Sequence, residues 1–326
     1  MKRNPLVISC LLYLLTVEVM AQDIRVHDPV MIKDKNVYYL FCTGMGISVF
    51  SSPDMKHWQK EKPVFDMPPS WAIKTIPEFK GHIWAPDISY HDGQYYLYYS
   101  VSAFGKNTSC IGLATNKSLD ATSPEFQWID HGKIVQSVPG RDLWNAIDPN
   151  LVFDEEQKPW LTFGSFWSGM KLVRLNENLR EIAEPQEWHT ISKRARDFKT
   201  DDYDAGEAAV EAPFIFKKGN YYYLFVSFDF CCRGLQSNYK VVVGRSVKLQ
   251  GPYLDKAGMR MDQGGGSIVV LGNASWPGVG HNAVYSFDGT DYLVFHAYDA
   301  KEEGKPKLII EKLEWVDGWP VSSFNK

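Results

Sequence analysis

Five short phrases stand at a near-constant step along this chain, and each carries an acid or an imidazole. His27-Asp28-Pro29, Ala85-Pro86-Asp87, Ile147-Asp148-Pro149 and Glu211-Ala212-Pro213 are the first four; Gly280-His281-Asn282 is the fifth. If the five units are alike in structure, these groups meet wherever the units converge. Converging carboxyl groups support acid–base hydrolysis. Inversion at a sugar carbon needs one ionised and one protonated carboxyl about 6.5–9.5 Å apart, with a water held between the base and the carbon. A third carboxylate nearby raises the acid's pKa by like-charge repulsion. Glu211 has the longest arm of the set and suits the proton donor, Asp28 suits the base on the opposite face, and Asp148 suits the tuning role. An Asp before Pro is by itself only a turn former; recurrence gives the set its chemical meaning. Asp87, in Trp84-Ala85-Pro86-Asp87, is either a substrate contact or the cap of an inner strand. Glu207 precedes its phrase and reads as loop. His281 is open between packing, metal ligation, and a hydrogen bond to a carboxylate or a water.

The elements that must position these residues follow from the same repeat. Roughly a dozen residues after each phrase comes a Leu inside an aromatic strand: Leu40, Leu97, Leu161, Leu224 and Leu293. A further apolar strand follows in each unit, at Gly46–Phe50, Ile111–Ala114, Met170–Val173, Val241–Arg245 and Leu308–Lys312. Asp92-Gly93, Lys218-Gly219-Asn220 and Asp288-Gly289 read as hairpin turns ahead of the aromatic strands. Self-similarity with a step of about 60 residues and several strands per unit predicts an all-β fold, a five-bladed β-propeller. Such a ring aims the same position of every blade at one axis. The charged segment Arg194–Glu207 reads as a surface loop before the fourth blade.

The 326 residues carry a net charge of −4, which offers no basic face for nucleic acid. With 11 Trp and 17 Tyr, most rings are expected between blades, and a minority as platforms for sugar faces. Lys2 and Arg3, the apolar run Leu6–Thr16 and the small-residue site Val19-Met20-Ala21 predict a cleaved leader over residues 1–21 and a single catalytic domain over 22–326. The expected location is periplasmic or extracellular, with no membrane attachment after cleavage. Cys42, Cys110, Cys231 and Cys232 are too sparse for a disulfide scaffold and are expected to be buried free thiols.

Longer stretches carry a resemblance. Trp144-Asn-Ala-Ile-Asp148-Pro-Asn150, Phe163-Gly-Ser-Phe-Trp-Ser-Gly169 and Tyr221–Asp229 running into Cys231-Cys232-Arg233-Gly234 resemble glycoside hydrolase family 43, most closely its endo-1,5-α-L-arabinanases. The resemblance spans essentially the chain after the leader. It implies a five-bladed propeller that cuts arabinan or arabino-oligosaccharides by single-step inversion, acting as a monomer. It implies Asp28 as base, Glu211 as acid and Asp148 as modulator, with Trp84, Asp87, Phe104, Asn145 and Ser165 as substrate contacts. It also implies a calcium beside His281 whose other ligands are mainly water. Exo action on the same fold, or a catalytically silent arabinan-binding propeller, are the alternatives.

Overall fold

The computed structural model describes residues 21–324, so the expected leader lies outside the described residues apart from Ala21. Five four-stranded antiparallel blades surround an axis. Blade I comprises Val30–Asp34, Val37–Cys42, Ser48–Ser52 and Gln59–Lys60. Blade II comprises His82–His91, Gln94–Ser102, Ser109–Asn116 and Ile129–Ser137, with Gly44–Met45 added at its inner edge. Blade III runs Asn150–Phe153, Pro159–Phe163, Met170–Arg174 and Trp188–Ser192; blade IV runs Val210–Lys218, Tyr221–Phe228, Lys240–Ser246 and Ser267–Val270. Blade V takes Val279–Phe287, Thr290–Asp299 and Lys305–Lys312 from the end of the chain and its outer strand, Ala21–Arg25, from the beginning. Gln22 pairs with Leu308, which closes the ring.

Why these residues form blades is visible in the second strands. Each blade packs on a neighbour on both faces, so Gln94–Ser102 and Pro159–Phe163 are buried almost along their whole length. Leu40, Leu97, Leu161, Leu224 and Leu293 are all fully buried, each worth about 2 kcal/mol of apolar burial. The core is therefore divided among the blade interfaces: Tyr98 and Leu113 of blade II meet Leu161 and Phe163 of blade III, and Met31 and Leu40 of blade I meet Val294 and Leu308 of blade V. The expected hairpins are present. Asp92-Gly93 and Asp288-Gly289 both carry positive φ at each central residue, the backbone of a type I′ turn. A single-turn helix, Ser70–Thr75, lies between blades I and II and has no counterpart in the strand-based expectation.

At the axis the repeat takes a specific form. Asp28, Ala85, Asp148, Ala212 and His281 each adopt a left-handed backbone, with φ of 54°, 42°, 59°, 56° and 51°. These, and not the acids as spelled in the sequence, are the equivalent positions. In four of the five, the residue's N–H is held by the preceding blade, from the place three residues past its buried Leu. Ala85 N–H donates to Thr43 Oγ1, Asp148 N–H to Ser100 Oγ, His281 N–H to Ser227 Oγ and Asp28 N–H to His296 Nδ1. Blade III has Gly164 in that place. With no side chain there, Ala212 N–H donates instead to Asp148 Oδ2 at 3.1 Å.

Candidate active site

Three of the five left-handed positions, Asp28, Asp148 and His281, line a cleft of about 800 Å³. Asp28, Asp148, Glu211 and His281 all line it and are all buried. Non-glycine residues with positive φ are strained and persist where the surrounding structure holds them, which here is the hub of hydrogen bonds just described.

Asp28 sits in surroundings that favour its ionised form. Its Oδ1 lies 2.7 Å from His27 Nδ1 and 3.0 Å from His281 Nδ1, and its Oδ2 accepts from the Thr43 hydroxyl. Burial pushes the carboxyl up, but the His27 and His281 charges prevail and hold it well below the usual carboxylate range. The imidazoles respond in kind. Burial disfavours their charge, yet Asp28 raises His27 well above its ordinary value and His281 to about 9. His296, fully buried and beside the His27 charge, is pushed well below its ordinary value. It stays neutral, as a ring nitrogen that accepts the Asp28 N–H must.

Glu211 has the opposite environment. Burial is the main force raising its pKa, and negative charge on the Cys232 sulfur adds to it. The Ser165 and Tyr239 hydroxyls, each donating at 2.8 Å, pull the other way without reversing the direction. Asp148 is raised well above the ordinary value, first by burial, with His281 opposing and the Glu211 and Asp28 charges reinforcing. Two interacting buried carboxyls, both raised, titrate as a pair. The Ala212 N–H, with Gly164 offering it no partner, also ties Asp148 to the residue after Glu211. One carboxyl pushed toward its ionised form and one pushed toward its protonated form therefore share a cleft, an arrangement fit to activate a water and protonate a leaving oxygen.

The other expected contacts divide. Half-buried Trp84, exposed Phe104, and buried Asn145 and Ser165 line the cleft. The Asn145 Oδ1 is a buried acceptor with no protein partner, free for a ligand hydroxyl. Asp87 does not reach the cleft. It is buried at 3% exposure and accepts from Asn150 Nδ2 at 3.1 Å and Leu151 N–H at 2.8 Å, which joins blade II to blade III. The expectation of a substrate contact fails because Asp87 stands two residues past the axial position, which is Ala85. Asn150 continues the pattern by accepting from Ile215 N–H of blade IV. Glu207 is loop, as expected, and also lines the cleft with Ala205 and Gly206. The loop that carries it is pinned by Arg196, which donates to the carbonyls of Asp201, Asp204 and Ala205.

Sequence reasoning missed His27, Thr43, Tyr239 and His296. Thr43 and His296 were within reach of the repeat, three residues past Leu40 and Leu293. The cysteines also depart from expectation. All four are free and Cys42 and Cys110 are buried, but Cys231 is half-buried and Cys232 exposed, and both line the cleft. A hydrogen bond from Cys231 chiefly, then His27, draws the Cys232 thiol down to about 5 against the cost of burial.

The residues beside His281 fit calcium poorly. That ion takes six to eight oxygen ligands, whereas His281 offers nitrogen and its Nδ1 is engaged by Asp28. The neighbouring Asn282 amide is buried without a protein partner, a demand that water meets equally well.

A five-bladed ring with buried carboxyls at its hub and an open cleft above them defines a propeller glycosidase. The chain belongs to the glycosyl hydrolases family 43, whose description matches residues 21–320. It is 53% identical over 301 residues to the extracellular exo-α-(1→5)-L-arabinofuranosidase of Cellvibrio japonicus, covering 92% of this chain and 87% of that one. It is 42% identical over 304 residues to the extracellular endo-α-(1→5)-L-arabinanase 1 of Bacillus subtilis, covering 92% and 88%. The solved α-L-arabinanase of Cellvibrio cellulosa complexed with arabinohexaose superposes with a TM-score of 0.90 at 52% identity, covering 91% of this chain and 95% of that one.

Proposed function

We propose that this chain hydrolyses α-1,5-linked L-arabinofuranosyl bonds of arabinan outside the cytoplasm, by single displacement with inversion. Asp28 takes a proton from a water as that water attacks the anomeric carbon, while Glu211 gives its proton to the departing oxygen. Asp148 keeps that proton on the pair until substrate arrives. One observation carries the reading: in a single cleft, Asp28 is held ionised by two imidazoles while Glu211 is raised by burial. A binding module has no use for such opposed carboxyls, which argues against a silent propeller. Likeness to arabinan-cutting relatives supplies the substrate, and two of them are named extracellular.

The sequence expectation is endo cutting. A second reading, exo cutting, is favoured by the 53% identity to a relative named as exo-acting. Digestion of linear arabinan separates them: a spreading ladder of oligosaccharides marks endo action, and one short product from the outset marks exo action. NMR of the first-formed product checks inversion, and a retained anomer would make Asp28 a nucleophile. No release of reducing ends would leave only the binding module.

A further inference from the structure

We propose that His27, Cys231 and Cys232 form a binding site for a thiophilic divalent metal ion in the wall of the catalytic cleft, and that an ion there shuts the enzyme off. The three ligand atoms all lie within 4.8 Å of one another. His27 Nε2 and Cys232 Sγ are 3.7 Å apart. A tetrahedral zinc with its usual bond lengths to nitrogen and sulfur sets those two atoms about 3.6 Å apart. That edge of the coordination polyhedron is thus already present, with the Cys231 sulfur within 4.8 Å of both atoms.

The surroundings suit the same role. His27 Nδ1 is committed to Asp28 Oδ1 at 2.7 Å, which turns Nε2 toward the sulfurs. A carboxylate behind a ligating imidazole is the arrangement that fixes the ring and strengthens its donor nitrogen. Cys232 is held in a left-handed backbone, with its N–H donating to the Tyr298 hydroxyl at 2.8 Å. That hydroxyl is also the present partner of His27 Nε2, at 2.9 Å, and yields the nitrogen when an ion binds. Two sulfurs and one imidazole favour soft or borderline ions such as zinc and cadmium over calcium or magnesium. With three protein ligands and one position open, the ion would face the cleft from one imidazole away from Asp28 and occupy space a sugar needs.

The test uses the whole mature protein and cobalt(II) as a coloured stand-in for zinc. One equivalent of cobalt should produce thiolate-to-metal charge-transfer absorption, and zinc should displace it. The paired substitution Cys231→Ser and Cys232→Ser should abolish the band with the circular dichroism unchanged. Asp28→Ala should keep the band but weaken binding about 10- to 100-fold, the usual effect of losing a carboxylate behind a ligating His. Zinc should suppress hydrolysis in step with occupancy, a chelator should restore it, and the doubly substituted protein should keep its own rate in zinc. Absence of the band in the unaltered protein, or its persistence in the double variant, overturns the site. Zinc inhibition that survives the double substitution overturns the shut-off. The absorption is read without substrate, so its outcome stands apart from whether arabinan is the polymer cut.

Discussion

At the residue scale, Asp28 and Glu211 carry the same functional group shifted in opposite directions, and their neighbours account for the difference. The pH–rate profile should expose those neighbours separately. His27→Ala removes the larger of the two charges holding Asp28 ionised. The base then protonates at higher pH, so the acidic limb of kcat/KM against pH should move upward. Asp148→Asn removes the carboxyl that repels Glu211's charge and spares the shape. Glu211 then loses its proton at lower pH, so the alkaline limb should move downward and the peak rate should fall. A profile with both limbs unmoved would reduce His27 and Asp148 to packing groups. Glu211→Ala should lower turnover on arabinan by about 10²–10⁴, the worth of general acid catalysis. The loss should be smaller on an aryl arabinofuranoside, whose leaving group needs little protonation. Equal losses on both substrates would assign the proton to another residue.

At the element scale, the second strand of each blade does two jobs from residues three apart. Its Leu fills the interface, and in every blade but III, which has Gly164 there, the residue three further on grips the next blade's left-handed position. The Leu pattern and the hairpin turns were legible because both are local and repeat. The hub was legible in kind but misaligned, because the eye follows acids whereas the backbone repeat follows Asp28, Ala85, Asp148, Ala212 and His281. Glu211 stands one residue before its axial position and reaches the cleft through its length; Asp87 stands two after and cannot. Tyr239 left no signal, since a buried tyrosine just ahead of a strand reads like any other core ring. Asp87→Ala should therefore act on stability. It orphans two buried donors, at about 1–3 kcal/mol each, and should lower the melting temperature with kcat/KM little changed. A loss of substrate affinity at constant melting temperature would return Asp87 to the cleft.

At the scale of the whole molecule, the ring is closed by the pairing of Ala21–Arg25 with Lys305–Lys312. No local pattern foretells it, because the five-residue strand has its partner at the far end of the chain. Removing residues 21–25 should leave blade V with an open edge and lower the melting temperature well beyond the effect of any single substitution above. An unchanged melting temperature would mean that the first four blades and three strands of the fifth hold the ring unaided. The hub shares this dependence on both ends. Asp28 comes from the entrance to blade I and is held ionised in part by His281 from blade V. A chain released early, at the end of blade IV, would carry Asp28, Asp148, Glu211 and most of the cleft wall. It would lack His281, and its blade I would have no neighbour on one side. Hydrolysis would thus work as a proof of assembly, since a copy lacking blade V is expected to leave the polymer uncut.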